Sequence, residues 1–278
     1  MTYYEKEFPD PDLSEVFAIY GETELTADVF LPSEKKQNGA GIILVHGGGW
    51  NAGDRNQFLW HAHRLALHGY VACTISYRLS QVAVFPAALI DCQSAVVWFR
   101  KNADRFKISV DKIGAIGSSA GGHLVACLGV FGQEHDGVSA KVNCVVDVHG
   151  VHDFVYLENN YEKTKNKRAH FLGGTIEEIE EVYVQASPAL HVDKNSSPMY
   201  IVHDPFDETV PYDQSLILAN ALMKNERPVT FIPSPNSGHG FFYNPQNDWT
   251  QKLWPSVMQW LDNQLLGIDT VGLIDSGD

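Results

Sequence analysis

The sequence predicts an α/β fold, a mostly parallel sheet with helices on both faces. Three observations predict it. Short β-branched apolar runs alternate with longer stretches of helical period, as βαβ units do. The apolar runs are nearly unbroken, as expected for strands covered on both sides. With 278 residues, 44% of them hydrophobic, the chain is long enough to bury a sizeable core.

The strands read from these runs are 25–32, 41–47, 71–77, 112–118, 144–150, 198–204 and 229–234. Helical segments fall between them at about 56–68, 86–104, 120–131, 212–225 and 248–265, the second opening on a proline where a missing N–H costs nothing. Residues 151–197 break the alternation with polar sequence such as "ENNYEKTKNKR". A stretch this long within a compact domain is usually functional or separately folded. It reads as a small cap-like insertion over one end of the sheet, and 1–278 reads as one domain. The acidic tail "GIDTVGLIDSGD" has no helical pattern and is expected either to be disordered or to dock on the body.

Composition excludes several roles. A net charge of −14 argues against nucleic acid, which needs a basic footprint. No apolar stretch reaches the ~18 residues of a bilayer span, and no signal-peptide pattern opens the chain, so a cytoplasmic protein with no membrane partner is expected. Cys73, Cys92, Cys127 and Cys144 lie in apolar or periodic segments without C-x-x-C spacing, which suits buried free thiols in a reducing compartment.

The chemistry centres on "KIGAIGSSAGGHLVACLGV". Within it, Gly117-Ser118-Ser119-Ala120-Gly121 joins an apolar strand to a helix of small residues. That context makes the G-x-S-x-G a nucleophile elbow, in which a tight turn pushes the Ser119 hydroxyl out at the top of the sheet. Alone, the pattern fits equally well a strand–turn–helix whose serines only cap or brace the turn. Upstream, a strand ends in His46-Gly47-Gly48-Gly49-Trp50. Glycines there let backbone N–H groups converge on a developing oxyanion, so Gly48, Gly49 and Ala120 are the candidate donors. His46, at a strand end, reads as pinning the loop. Neither G-K-[ST] nor G-x-G-x-x-G is present, so the glycines do not read as a phosphate site.

A serine elbow is followed by an acid and then a histidine, on loops after later strands. Of the 12 histidines, His239 sits between Gly238 and Gly240 after the last strand, free to reach over the sheet edge. "IVHDPFDETVP" offers Asp204, Asp207 and Glu208. Asp204 falls at the strand end, whereas Asp207 lies in the turn beyond it, from which a carboxylate can curl toward the histidine. Asp207 is therefore the better-placed acid. His123 and His203 read as packing or hydrogen-bonding residues, and His61, His63 and His68 lack a motif such as H-E-x-x-H, so no metal and no cofactor are expected. Trp50 and Phe241 are candidate walls of the substrate pocket.

"HGGGW", "YRLS", "FPAALIDCQSAVVWFRKNA", "DKIGAIGSSAGGHL", "FLGG", "ASPALHV", the D-x-x-V-P from Asp207 and "SGHGF" occur in one order over about 25–265. In this the chain resembles the α/β-hydrolase serine esterases, within them the compact carbohydrate-esterase-like branch of bacterial feruloyl and acetyl-xylan esterases. The related hormone-sensitive-lipase-like esterases share the HGGG and the elbow. The resemblance implies an α/β-hydrolase fold, a Ser119–His239–Asp207 triad, a Gly48, Gly49 and Ala120 oxyanion hole, and a short-acyl, chiefly acetyl, ester as small-molecule substrate, acylated sugars included. It departs where His203-Asp204 stands for the family's His-Gly, and where Ser118 stands for a frequent acidic residue. An amide hydrolase of arylformamidase or peptidase type, or a non-catalytic binding module, are the rival readings.

Overall fold

In the computed structural model, residues 9–268 are described, and the tail from residue 269 lies outside them. Eight strands form one sheet in the order β1-β2-β4-β3-β5-β8-β9-β10. These are β1 Leu13–Tyr20, β2 Thr23–Phe30, β3 Gly41–Val45, β4 Val71–Ile75, β5 Ile113–Ser118, β8 Cys144–Val148, β9 Met199–His203 and β10 Val229–Pro233. A separate two-stranded hairpin pairs β6 Glu134–His135 with β7 Val138–Ser139. From β4 to β10 neighbours run parallel, while β1 pairs antiparallel with β2 and β2 with β4.

The helices are α1 Leu59–His68, α2 Ala87–Lys101, α3 Ala103–Phe106, α4 Ala120–Val130, α5 Phe154–Asn160, α6 Lys165–Leu172, α7 Ile176–Gln185, α8 Asp213–Lys224 and α9 Asp248–Leu266. Among the described residues no helix is long and apolar enough to cross a membrane.

Period-two strands explain how one sheet feeds two cores. Ile43 and Val45 of β3 join a cluster with α2, α4 and α8, whereas Ile42 and Leu44 join one with α1 and α9. Every residue of β3, β4, β5, β8 and β9 is buried, which matches their largely apolar sequence. Each buried Ile, Leu or Val contributes about 1.5–3 kcal/mol. All four cysteines are free and buried.

The sequence reading missed β1, whose burial alternates because only one face is covered. Because of β1, the "HGGGW" loop follows the third strand of the sheet. The segment between β8 and β9 folds as α5, α6 and α7, and residues of it share a cavity with Ser119.

Candidate active site

Parallel β5 delivers Ser119 to the carboxyl edge of the sheet, where the chain reverses into α4. Ser119 takes φ 57° and ψ −121°, a conformation strained for any residue with a Cβ. Its N–H is tied to the Val148 carbonyl at 2.9 Å. The turn is possible because Gly121 has no Cβ to run into the Val45 carbonyl.

His239 arrives on the loop after β10, with Gly238 and Gly240 both in the left-handed region. Its Nε2 lies 3.0 Å from Ser119 Oγ, and its Nδ1 lies 2.7 Å from Asp207 Oδ2. The Asp207 side chain is buried, and its other oxygen accepts the N–H groups of Thr209 and Val210 at 2.7 and 3.1 Å. Burial alone would raise this carboxyl, but the His203 and His239 rings beside it outweigh that and hold it well below the usual carboxylate range. Asp207 is thus a fixed negative charge behind His239 Nδ1. The His239 ring lies in line between that carboxylate and the Ser119 hydroxyl.

Asp204, the carboxylate at the strand end, does not reach the imidazole by any hydrogen bond. It accepts N–H groups of Phe206, Asn236 and Gly238 at 2.9, 3.0 and 2.8 Å, and so ties the acid loop to the histidine loop.

The loop after β3 carries Gly48 at φ 119° and Gly49 at φ 61°. A Cβ on Gly48 would meet the Ala52 carbonyl, which itself belongs to the turn closed by Ala52 N–H to Gly48 O at 3.1 Å. The N–H groups of Gly48 and Gly49 have no acceptor among the described residues. Ala120 opens α4, so its N–H has no intrahelical acceptor either. His46 braces this loop. Its Nδ1 lies 2.8 Å from the Gly47 carbonyl, its ring stacks on Tyr77 at 4.2 Å, and burial pushes its pKa down to about 4.

Gly48, Gly49, Ser119 and His239 line one cavity of about 410 Å³. Trp50 lines it too, with Nε1 donating to His123 at 3.1 Å and its ring stacked on Phe171 of α6 at 4.4 Å. Phe241 does not; it lines, with His239 and Tyr243, an adjoining cavity of about 330 Å³. It is 4% exposed within the core cluster of α1 and α9, because the Gly240 turn sends the chain back under the sheet edge after His239.

Sequence reasoning missed His149. It follows β8 at φ 43°, fully buried, with its ring 4.2 Å from that of His239. Its Nε2 accepts the Gly240 N–H at 3.3 Å and lies 3.3 Å from Ser118 Oγ. Burial, then the nearby His239 and His203, lower its pKa well below the ordinary value, so it packs as a neutral ring. Its signal was a histidine just past the strand "CVVDV", on the edge where the elbow lies. His149, Asp207 and His239 present ligand atoms within 4.8 Å of one another, spacing a metal ion could use, although the line through Ser119 already engages two of them. Tyr243, also missed, lines the cavity and donates to the Ser118 carbonyl at 3.0 Å.

Sheet order, elbow and the Ser119–His239–Asp207 line define an α/β-hydrolase-fold protein. The sequence model of the BD-FAE family matches residues 27–222, and the chain belongs to that family. It is 30% identical over 217 residues to esterase LipC of Mycobacterium tuberculosis (strain ATCC 25618 / H37Rv), covering 72% of this chain and 52% of LipC. The chain thus spans about half the length of that relative. It is 28% identical to an arylesterase of Saccharolobus solfataricus, covering 80% of this chain and 74% of the arylesterase. Among solved structures, the native thermophilic esterase Est2 of Thermogutta terrifontis superposes with a TM-score of 0.80 at 25% identity, covering 94% of each chain.

Proposed function

We propose that this chain is a serine carboxylester hydrolase of short-chain acyl esters, chiefly acetyl, with acylated sugars among its substrates. The observation that carries the reading is the unbroken line Ser119 Oγ, His239 Nε2, His239 Nδ1, Asp207 Oδ2, with separations of 3.0 and 2.7 Å. His239 takes the Ser119 proton as Oγ attacks the ester carbonyl. The N–H groups of Gly48, Gly49 and Ala120 hold the oxyanion. His239 returns the proton to the departing alcohol, and water, activated by the same ring, then frees the acid from Ser119. Asp207 keeps the imidazole in the competent tautomer and stabilises its protonated form. Residues 151–197 act as a small cap that shapes the pocket, which Leu157, Thr164 and Arg168 on the cavity wall support. Names of relatives such as esterase LipC and arylesterase support the same chemistry.

The test is hydrolysis of p-nitrophenyl acetate, an N-formyl aryl amide and a chromogenic dipeptide by wild type and Ser119→Ala. Ester turnover that disappears in Ser119→Ala is expected. Turnover retained in the variant overturns the mechanism, and preference for either amide overturns the substrate class.

A further inference from the structure

The cavity above Ser119 differs in charge from the rest of the molecule. The chain carries 34 acidic and 20 basic residues, yet none of the described residues lining this cavity is Asp or Glu. Lys167 and Arg168, both on α6, do line it. Arg168 is already satisfied: 2% exposed, it pairs with the Glu158 carboxylate at 3.1 Å and donates to the carbonyls of Lys163 and Tyr161 at 3.0 and 2.7 Å. Glu158 also takes the Lys165 ammonium at 3.1 Å. Lys167 is exposed, and no carboxylate of the described residues lies within ion-pair distance of it. Apolar Trp50, Leu157 and Val210 form much of the remaining wall.

We propose that the ester substrate carries an anionic group, a carboxylate being the simplest, and that Lys167 selects for it. The inference rests on ester hydrolysis at Ser119 and names the class of ester that this site prefers. An anion approaching a chain of net charge −14 is repelled at long range, so an anionic substrate needs a local cation at the cavity. A neutral ester gains nothing from one. Because Lys167 is exposed, water screens the pairing, which is therefore worth what a surface ion pair is worth.

The test compares kcat/KM for matched esters differing in one charge. 4-Acetoxybenzoate against its methyl ester places the charge on the leaving group. Monomethyl against dimethyl glutarate, followed by pH-stat, places it on the acyl group. The anionic-to-neutral ratio is measured in wild type, Lys167→Gln, Lys167→Glu and the control Lys163→Gln, an exposed lysine absent from the cavity wall. For at least one pair, Lys167→Gln should lower the ratio about fivefold, the value of an ion pair worth ~1 kcal/mol. Lys167→Glu should lower it further, and the difference should shrink in about 1 M salt, where the Debye length is about 3 Å. Lys163→Gln should keep the wild-type ratio. Equal ratios in wild type and both Lys167 variants, for both pairs, overturn the inference while leaving ester hydrolysis standing. Absence of wild-type turnover on the neutral esters strikes instead at ester hydrolysis.

Discussion

Asp204 holds the backbone of Gly238, not the ring of His239: its Oδ2 accepts the Gly238 N–H at 2.8 Å, one residue before the imidazole. Of the two carboxylates, Asp207 is the one that meets the ring, at 2.7 Å. Two carboxylates three residues apart therefore make different contacts, one tying the loop backbones together and the other meeting the imidazole. Asp207→Asn is expected to lower kcat on p-nitrophenyl acetate by up to about 10⁴, because the amide favours the wrong imidazole tautomer. Asp204→Asn turns an NH₂ against a backbone N–H and is expected to cost about 1–3 kcal/mol of stability, read as a lower Tm. A collapse of kcat in Asp204→Asn at unchanged Tm, with Asp207→Asn still active, exchanges the two roles.

Gly48→Ala tests the oxyanion loop. At φ 119°, with the Ala52 carbonyl where a Cβ would sit, the substitution must displace the backbone whose N–H is meant to meet the oxyanion. Losing one such donor costs about 10²–10³ in kcat. The expected signature is a fall in kcat with little change in KM. A fully active Gly48→Ala removes this loop from the chemistry.

His149 supports the histidine loop from below. His149→Ala leaves the Gly240 N–H without its acceptor and removes the ring packed against His239. An unpaired buried donor costs about 1–3 kcal/mol, so the urea midpoint should drop. If the loosened His239 forfeits ~1.4 kcal/mol of transition-state stabilisation, kcat falls about tenfold. An unchanged midpoint and kcat together exclude this supporting role.

Much of this arrangement was legible because its signals are local. The strand, the G-S-S-A-G turn and the helix that place Ser119 are contiguous, and β3, β4, β5, β8 and β9 announced themselves as largely apolar runs because both faces are covered. β1 was not legible in that way, being covered on one face and mixing polar with apolar residues. Phe241 lines a second cavity beside His239 and not the one that holds Ser119, a distinction that its proximity in sequence to His239 does not carry. His149 and Asp204 acquire their roles only through partners 91 and 34 residues away, contacts that no spacing in the sequence displays.

Stability should fall steeply in mild acid. His46 is pushed down to about 4, His61 and His123 to about 3, and His149 well below the ordinary range, burial being the largest cause for all four. Unfolding returns each ring to water, where its pKa is about 6.5. Between about 6.5 and the folded value, the unfolded chain holds a proton that the folded chain does not, so stability rises with pH and is lost on acidification. Each ring contributes up to about 1.4 kcal/mol per pH unit, and four fully titrating together contribute about 5. That is comparable with the whole stability of an ordinary domain, about 5–15 kcal/mol. Asp207 acts in the same sense lower down: its depressed carboxyl stabilises the fold above about pH 4, and that contribution disappears below it. The guanidinium midpoint should therefore hold steady from about pH 8 to 7 and fall steeply from about 6.5 to 5. His61 lies among the rings of Phe58, Trp60, Phe242 and Trp254, where an apolar ring fits. His61→Phe should thus remove about one proton from the slope. A midpoint that stays level from about pH 7 to 5 contradicts the buried neutral rings. A slope unaltered in His61→Phe assigns the proton uptake elsewhere.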